Sequence, residues 1–172
     1  MKHRTLAFIA CLALPLSALA ASPELRIPNF MHLKGKAIES VDVTLDGLLL
    51  GVVRKLARTS DDPEVKILED IQSVRVRNFT FDTDDAYPLD DVDSVRRQLA
   101  APGWSQLVSA HKRNDEHVDV YLCAEQDKVL GLAVVASDKR SFTIVNIVGN
   151  IDIDKLAKLE GQFGIPKMDV ER

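Results

Sequence analysis

Apolar and polar residues alternate along four segments between residues 104 and 149, a period that is typical of β-strands. Short polar stretches at 114–116, 126–128 and 138–140 separate the segments and predict three-residue turns. This turn length sets apolar rows opposite one another, whereas a shift of one residue would oppose apolar and polar side chains. The predicted rows are Trp104, Val108 and Ala110; Val118, Val120, Leu122 and Ala124; Leu130, Leu132, Val134 and Ala136; and Phe142, Ile144 and Val148.

The rest of the chain combines strand and helix patterns. Alternation predicts a further strand over 41–45, the β-rich composition of 74–81 predicts another, and a short helix is expected within 30–40. These elements predict the α+β class, an antiparallel β-meander sheet packed against several helices as a two-layer sandwich. The predicted helix starts are Asp46, the triplet Asp62-Pro63-Glu64 with a helix that reaches Ile71, Asp90 or Asp91, and Asp152 with a helix that ends near Phe163.

The first twenty residues have the three parts of a secretory signal peptide. Positive residues lie within 2–4, residues 5–20 carry no charge and are mainly apolar, and Ala18-Leu19-Ala20 is a small-residue cleavage motif. The uncharged segment is short for a membrane span, and Pro15 interrupts it. We therefore expect cleavage after Ala20 and a periplasmic location.

Cys11 offers an alternative, because a cysteine after a small residue can carry a lipid anchor. Mostly apolar residues follow Cys11 and serve better as the core of the leader, so we expect cleavage instead. The predicted organisation is a signal peptide over 1–20, an extended lead-in over 21–29 and a single α+β domain over 30–172.

The chain is acidic, with 22 basic and 26 acidic residues and a net charge of −4. We find no basic patch, so nucleic acid and anionic membrane surfaces are not expected partners. Beyond the leader no apolar run reaches spanning length, which predicts no integral membrane span. Cys123 is the one cysteine left after cleavage, and its apolar strand pattern predicts a buried thiol and no internal disulfide.

The second face of the predicted sheet has an apolar half that needs a cover, because apolar patches of this size are uncommon on monomers. The expected cover is another segment of the chain, and a second subunit, an envelope protein or a ligand stay open as alternatives. No small-molecule ligand is identified. The candidate interaction surface consists of Gly131, Ala133, Val135, Val145 and Ile147.

The polar half of that face contains His111, His117 and Asp119, and the predicted register sets His111 opposite Asp119. Such a group can transfer protons or bind zinc, but no pocket or fourth ligand accompanies it, which favours a simple surface pair. The aspartate-rich loop over 81–93 lacks the spacing of a calcium loop, so a solvated loop before a helix is expected. We expect no metal, no cofactor and no catalytic residue.

Several stretches of the chain resemble a known family. They read Val-Asp-Val-Thr-Leu-Asp-Gly-Leu-Leu at 41–49, Leu-Gly-Leu-Ala-Val-Val at 130–135, Phe-Thr-Ile-Val-Asn-Ile-Val-Gly-Asn-Ile-Asp at 142–152 and Leu-Ala-Lys-Leu at 156–159. The chain is similar, over nearly all of its mature length, to the bacterial exported proteins of domain-of-unknown-function family 4252. The resemblance implies an envelope protein, some relatives being lipid-anchored, and it supplies no catalytic residues.

Two functions of different class follow from these observations. The favoured one is an exported bacterial envelope protein that acts as a non-catalytic binding or protein-interaction module, with an envelope protein or a second copy as partner. The alternative is a hydrolase or metal-dependent enzyme that uses the histidine and aspartate side chains as a surface site.

We expect the exported protein to begin at Ala21 when the full chain is expressed in a bacterium, as measured by the intact mass of the protein released from the periplasm. Ala20→Phe should make the uncut chain accumulate, because the peptidase needs a small residue there. Leu19→Phe is the matched control and should be cut normally, since the middle position of the motif is permissive. A periplasmic protein that keeps its first twenty residues would contradict the prediction.

Overall fold

The computed structural model describes residues 22–60, 67–113, 115–126 and 128–151. These residues form an α+β fold in which six antiparallel strands make one sheet in the order β1-β2-β6-β5-β4-β3. The strands are β1 (Glu39–Leu45), β2 (Ile71–Thr80), β3 (Trp104–His111), β4 (His117–Glu125), β5 (Lys128–Ser137) and β6 (Ser141–Ile151). The helices are α1 (Met31–Lys34), α2 (Gly47–Thr59) and α3 (Leu89–Leu99), with a 3₁₀ turn at Ile67–Asp70.

The predicted meander is confirmed as β3 to β6, in which each strand lies beside the next one in the chain. The predicted strands over 41–45 and 74–81 are β1 and β2, which extend the same sheet beyond β6. The helix predicted from Asp46 is α2, with Asp46 at its N-cap position but without a side-chain cap hydrogen bond. Alternation and β-rich composition together therefore predicted all six strands.

Two helix predictions need correction. Pro88 takes the N-cap position of α3, so Asp90 and Asp91 lie in its first turn, where negative charge favours the helix dipole, and neither caps the helix. Ile71, predicted to end a second helix, is the first residue of β2. The predicted start at 62–64 and the last predicted helix over 152–163 lie outside the described residues.

The turn between β5 and β6 contains two residues, not the predicted three. Asp138 and Ser141 flank it, and the backbone N–H of Asp138 donates to the carbonyl oxygen of Ser141 at 2.9 Å. The carboxylate of Asp138 accepts hydrogen bonds from the backbone N–H groups of Arg140 and Ser141, both at 2.7 Å. Aspartate stabilises tight turns in this way, and this turn sets the register of the two central strands.

The register between β5 and β6 consequently differs by one residue from the prediction. Val135 pairs with Ile144, and Val134 pairs with Val145, so the predicted alignment of Val134 with Ile144 on one face is wrong. Away from their bulges, the other two hairpins follow the predicted faces: Ala110 pairs with Val118, and Val120 pairs with Val134. The bulge between Gln106 and Val108 moves Trp104 to the other face, opposite Cys123, so its predicted alignment with Val108 and Ala110 is wrong. Each strand presents one row of side chains to each face of the sheet, and different segments of the chain cover the two faces.

We call the face that carries Phe79, Val135, Phe142 and Ile144 the inner face, because all four side chains are fully buried. The chain before β1 packs against this face together with α3. The ring of Phe30 contacts those of Phe79 and Phe142 edge-on, at centroid distances of 6.0 and 5.7 Å. The other buried members of this core are Leu25, Leu33, Phe81, Tyr87, Val92, Val95, Leu99 and Ala133.

Tyr87 closes one end of this core. Its ring stacks on those of Phe81 and Phe142, at centroid distances of 5.4 and 5.6 Å. Its hydroxyl lies against the carbonyl oxygens of Asp138 and Ser141, 2.8 Å from the latter. Burial raises the pKa of Tyr87 to about 12, since the phenolate form would lose solvation there. Tyr87 thus ties the aromatic core to the β5–β6 turn.

A second buried cluster lies on the opposite, outer face of the sheet. It consists of Leu50 from α2 together with Ile71, Val129 and Ile151, which lie near the ends of three strands. The half-buried residues that pack against it are Leu45, Val53, Val74, Leu122, Leu132 and Ile147. α2 therefore covers one end of the outer face.

We expect Gly149→Ala to destabilise the fold by about 1–3 kcal/mol, because an added Cβ would overpack a close backbone approach. That Cβ would lie 2.4 Å from the carbonyl oxygen of Asp70 and 2.8 Å from the Cα of Ile71. Urea unfolding measures the free energy. Gly35→Ala is the control, since no heavy atom lies within 4 Å of its added Cβ. Equal losses in the two variants would contradict the close approach at Gly149.

Candidate functional site

The carboxylate of Asp119 lies at the centre of a polar network on the inner face and is 9 % exposed. Nε and Nη2 of Arg96 on α3 donate to its Oδ2 at 3.1 and 2.8 Å. Gln106 Nε2 and Ser109 Oγ donate to its Oδ1 at 3.0 and 2.8 Å. Both carboxylate oxygens are thus occupied by positioned donors, and the arrangement ties α3 to β3 and β4.

The two histidines of the predicted polar site lie together, but away from this carboxylate. His111 pairs with His117 across the strands, and their ring centroids are 3.5 Å apart. Asp119 pairs with Ser109, so the predicted opposition of His111 and Asp119 is wrong by one pair. The reason is the position of the turn: Lys112 N–H donates to the carbonyl oxygen of Glu116, so the turn is centred one residue earlier than predicted.

The five residues of the predicted interaction surface lie on two different faces. Ala133 and Val135 are fully buried in the inner-face core, and Gly131 lies beneath Pro23 of the lead-in. Val145 and Ile147 share rows with Val134 and Leu132 on the outer face. The prediction that these five residues share one face is therefore wrong, because the register at the β5–β6 turn differs by one residue from the predicted one.

A row of six valines crosses the outer face, one from each strand. Cross-strand pairing joins them in sequence, and residues that pair across strands share a face. All six are half-buried, and neither buried cluster in the described part of the chain includes them. In sheet order the valine row is Val43, Val76, Val145, Val134, Val120 and Val108.

The outer-face rows on either side of the valine row differ in character. On one side Leu45, Val74, Ile147, Leu132 and Leu122 are packed by the α2 cluster. On the other side the row becomes polar at Asn78, whose amide donates to Thr143 Oγ1 at 2.8 Å. That row also contains Val41, Ala136, Val118 and Ala110, so the outer face stays largely apolar beyond the valine row.

α2 presents a second apolar surface directly to solvent. Leu48, Leu49, Val52 and Leu56 are exposed, Leu48 by 86 % and Leu56 by 63 %. We call these four residues the leucine stripe. Large apolar side chains grouped in this way mark interaction sites more often than isolated ones do.

Sequence inspection for basic pairs missed the three cations of α2. Arg54, Lys55 and Arg58 line a concavity around Gly51, and no acidic residue occurs within Gly47–Thr59. None of the three forms an ion pair with a residue that the structure describes. The three positions are spaced so that they lie on one side of a helix, and this spacing could have revealed the cationic side of α2 from the sequence.

The sequence matches a protein-family model over most of its length. The model described as Domain of unknown function (DUF4252) matches residues 34–159. The chain belongs to this family. Neither the curated proteins nor the solved structures include a match to it.

The matched region of this DUF4252 protein begins after the lead-in, so the segment that covers part of the inner face lies outside it. The side chain of Asn146 is fully buried and binds that segment: its Oδ1 accepts from Leu25 N–H and its Nδ2 donates to Pro23 O, both at 3.0 Å. Alternation predicted an apolar strand around position 146 and gave no sign that an amide there binds backbone.

The aspartates of the 81–93 loop are distributed over separate partners. Asp84 pairs with Arg140, which lowers the pKa of the Asp84 carboxyl through a hydrogen bond and opposite charge. Asp91 Oδ2 lies 2.7 Å from His32 Nε2. In the described ranges no three histidine, cysteine or acidic side chains converge as a metal site would require.

Two further properties concern the described part of this DUF4252 protein. Cys123 is a free, fully buried thiol, as predicted, and burial raises its pKa. Among the helices within the described ranges, none is both long and apolar enough to cross a bilayer.

We expect Asp119→Asn to lower the free energy of unfolding by about 2 kcal/mol, since it removes the charge that Arg96 contacts in a largely buried site. Asp93→Asn is the matched control, because Asp93 also faces Arg96 but at 4.0 Å and with an exposed side chain. Its effect should stay within about 0.5 kcal/mol. Denaturant unfolding of both variants gives the comparison, and equal effects would show that the network contributes nothing particular.

Proposed function

We propose that this protein is an exported, periplasmic, non-catalytic interaction module that docks a helix of a partner protein on its outer face. The observation that carries the proposal is the valine row, which crosses all six strands and stays half-buried. The signal-peptide pattern of the first twenty residues supports export. In this proposal α1, α3 and the lead-in complete a two-layer sandwich on the inner face, and the part of the outer face that α2 does not cover is left for the partner.

The dimensions of the outer face suit one added helix. The valine row runs across six strands spaced about 4.8 Å apart, so it is roughly 24 Å long. α2 already covers one end, and a helix about 10 Å in diameter would cover the valine row beside it. An amphipathic helix laid into an apolar groove is a common mode of recognition, anchored at i, i+3, i+4 and i+7.

The cations of α2 indicate the chemistry of the partner. Arg54, Lys55 and Arg58 lie on the same helix as the leucine stripe, and α2 has no acidic residue to balance them. A partner helix that is apolar on one face and acidic on its flanks would match both features, and charge complementarity would also speed association. We therefore propose an acidic amphipathic helix as the docked segment.

The inner-face polar network supports a non-catalytic role. Asp119 already accepts hydrogen bonds from three side chains, so its carboxylate is committed to holding α3 on the sheet. His111 is exposed and paired with His117, without a carboxylate opposite it. A general base needs an orienting partner and a place for substrate, and this pair has neither among the described residues.

The proposal predicts that the full chain binds a synthetic acidic amphipathic peptide of leucine and glutamate, measured by fluorescence anisotropy of the labelled peptide. The double variant Leu48→Glu, Val52→Glu should weaken binding at least about tenfold, because it charges the leucine stripe. Added salt should also weaken binding, and a leucine–lysine peptide of the same pattern should bind less well.

Leu89→Glu is the matched control, since Leu89 is 72 % exposed on a different helix, and it should bind the acidic peptide like the natural chain. Equal affinities of the Leu89 and α2 variants would overturn the proposed surface. Failure of the natural chain to bind, with the valines protected from solvent, would mean that the chain itself covers its outer face, and the partner proposal would be wrong.

A further inference from the structure

The hydrogen bonds that hold the lead-in on the inner face are made largely by its backbone, and the carboxylate of Glu24 also pairs with Arg75. Besides the two bonds to Asn146, the Gln98 side chain accepts from Arg26 N–H at 2.9 Å and donates to Arg26 O at 3.0 Å. Trp104 Nε1 donates to Ser22 O at 3.1 Å, and Arg75 Nη1 donates to Leu25 O at 3.3 Å. We call residues 22–27 the arm. The groove that holds the arm, on the inner face, is formed by Asn146, Gln98, Trp104, Arg75 and Gly131.

The groove fits the arm sterically as well as through hydrogen bonds. Leu25 is 2 % exposed and belongs to the inner-face core. A Cβ on Gly131 would lie 2.7 Å from the Cβ of Pro23, so the arm could not approach this closely if residue 131 carried a side chain. The site therefore recognises an extended segment with inward apolar residues at alternate positions, and any copy of this chain carries such a segment.

The connection between the arm and the body is short and strained. Pro28 and Asn29 are exposed, and Phe30 directly follows them with a φ of 48° and a ψ of 37°. This left-handed conformation is disfavoured for a residue that has a Cβ atom, and proline further restricts the connection. Phe30 is at the same time fixed by its buried ring, so the connection cannot relax while the arm stays on its own body.

We propose that the groove binds the arm of a second copy of this chain, which gives an arm-exchanged dimer. All contacts of the arm are preserved in the exchange, because both copies supply the same groups. What changes is the connection, which is freed from the constraint of returning to its own sheet. Short strained connections favour exchange of this kind.

The buried amide of Asn146 makes exchange more favourable than an empty groove. Among the described residues, Leu132 O is the partner that remains besides the arm, at 3.3 Å, so loss of the arm removes two of the three hydrogen bonds of Asn146 there. An unsatisfied buried amide is costly, and an arm from another copy restores both bonds. The outer bonds, to Gln98 and Trp104, are exposed, so the arm can be released from its ends inward.

Two complementary full-length variants test the proposal. Leu25→Asp spoils the arm and leaves the groove intact, whereas Asn146→Leu spoils the groove and leaves the arm intact. Trp104 is the chain's one tryptophan, so adding Trp104→Phe to the groove variant confines the fluorescence signal to the intact groove. Mixing the two variants at ~0.5 mM should give a 1:1 complex of summed mass by light scattering, with a shift in tryptophan emission.

Each variant alone should stay monomeric, and the natural chain should dimerise with rising concentration. Circular dichroism checks that the variants fold, and Gly131→Ala replaces Asn146→Leu if the latter does not. Two glycines inserted between Pro28 and Asn29 should relieve the connection and reduce the dimer of the natural chain at least about fivefold at equal concentration. Folded variants that form no complex on mixing would overturn the proposal, irrespective of what binds the outer face.

Discussion

The carboxylate of Asp138 accepts hydrogen bonds from two backbone N–H groups of the β5–β6 turn, and the register that it fixes decides what each face of the sheet carries. With two residues in this turn, Val135 and Ile144 enter the inner core while Val134 and Val145 join the outer row. One more residue would move every side chain of β6 to the other face. The Tyr87 hydroxyl contacts the same turn, so the aromatic core and the register support each other.

The two faces hold their neighbours by different means. On the inner face, two buried polar side chains bind the covering segments through hydrogen bonds: Asp119 holds α3, and Asn146 holds the arm. Such buried polar contacts orient the attached segments, because a displaced segment leaves donors and acceptors unpaired. The outer face is mostly apolar, and α2 packs on it through Leu50 and Val53. Apolar contact is less directional, which suits a face that takes a further helix.

Much of the fold could be predicted from periodicity, because strands with one row of apolar residues reveal themselves by alternation. Register could not, since the central strands are apolar on both sides: residues 132–136 and 144–148 offer an apolar row to either face. The β5–β6 turn selects one of the two possible registers, and the aspartate at position 138 was the indication of this turn in the sequence. The histidine pair was placed correctly on neighbouring strands, while Asn146 and Arg96 were missed because their partners are distant in sequence.

The Cys123 thiol has a consequence for the redox chemistry that the closed sheet allows. Cys123 is fully buried, and its pKa is raised, so the reactive thiolate is both scarce and inaccessible. Disulfide exchange begins with attack by a thiolate, and here it would require the sheet to open. While the sheet is closed, Cys123 therefore offers oxidants no accessible sulfur to react with.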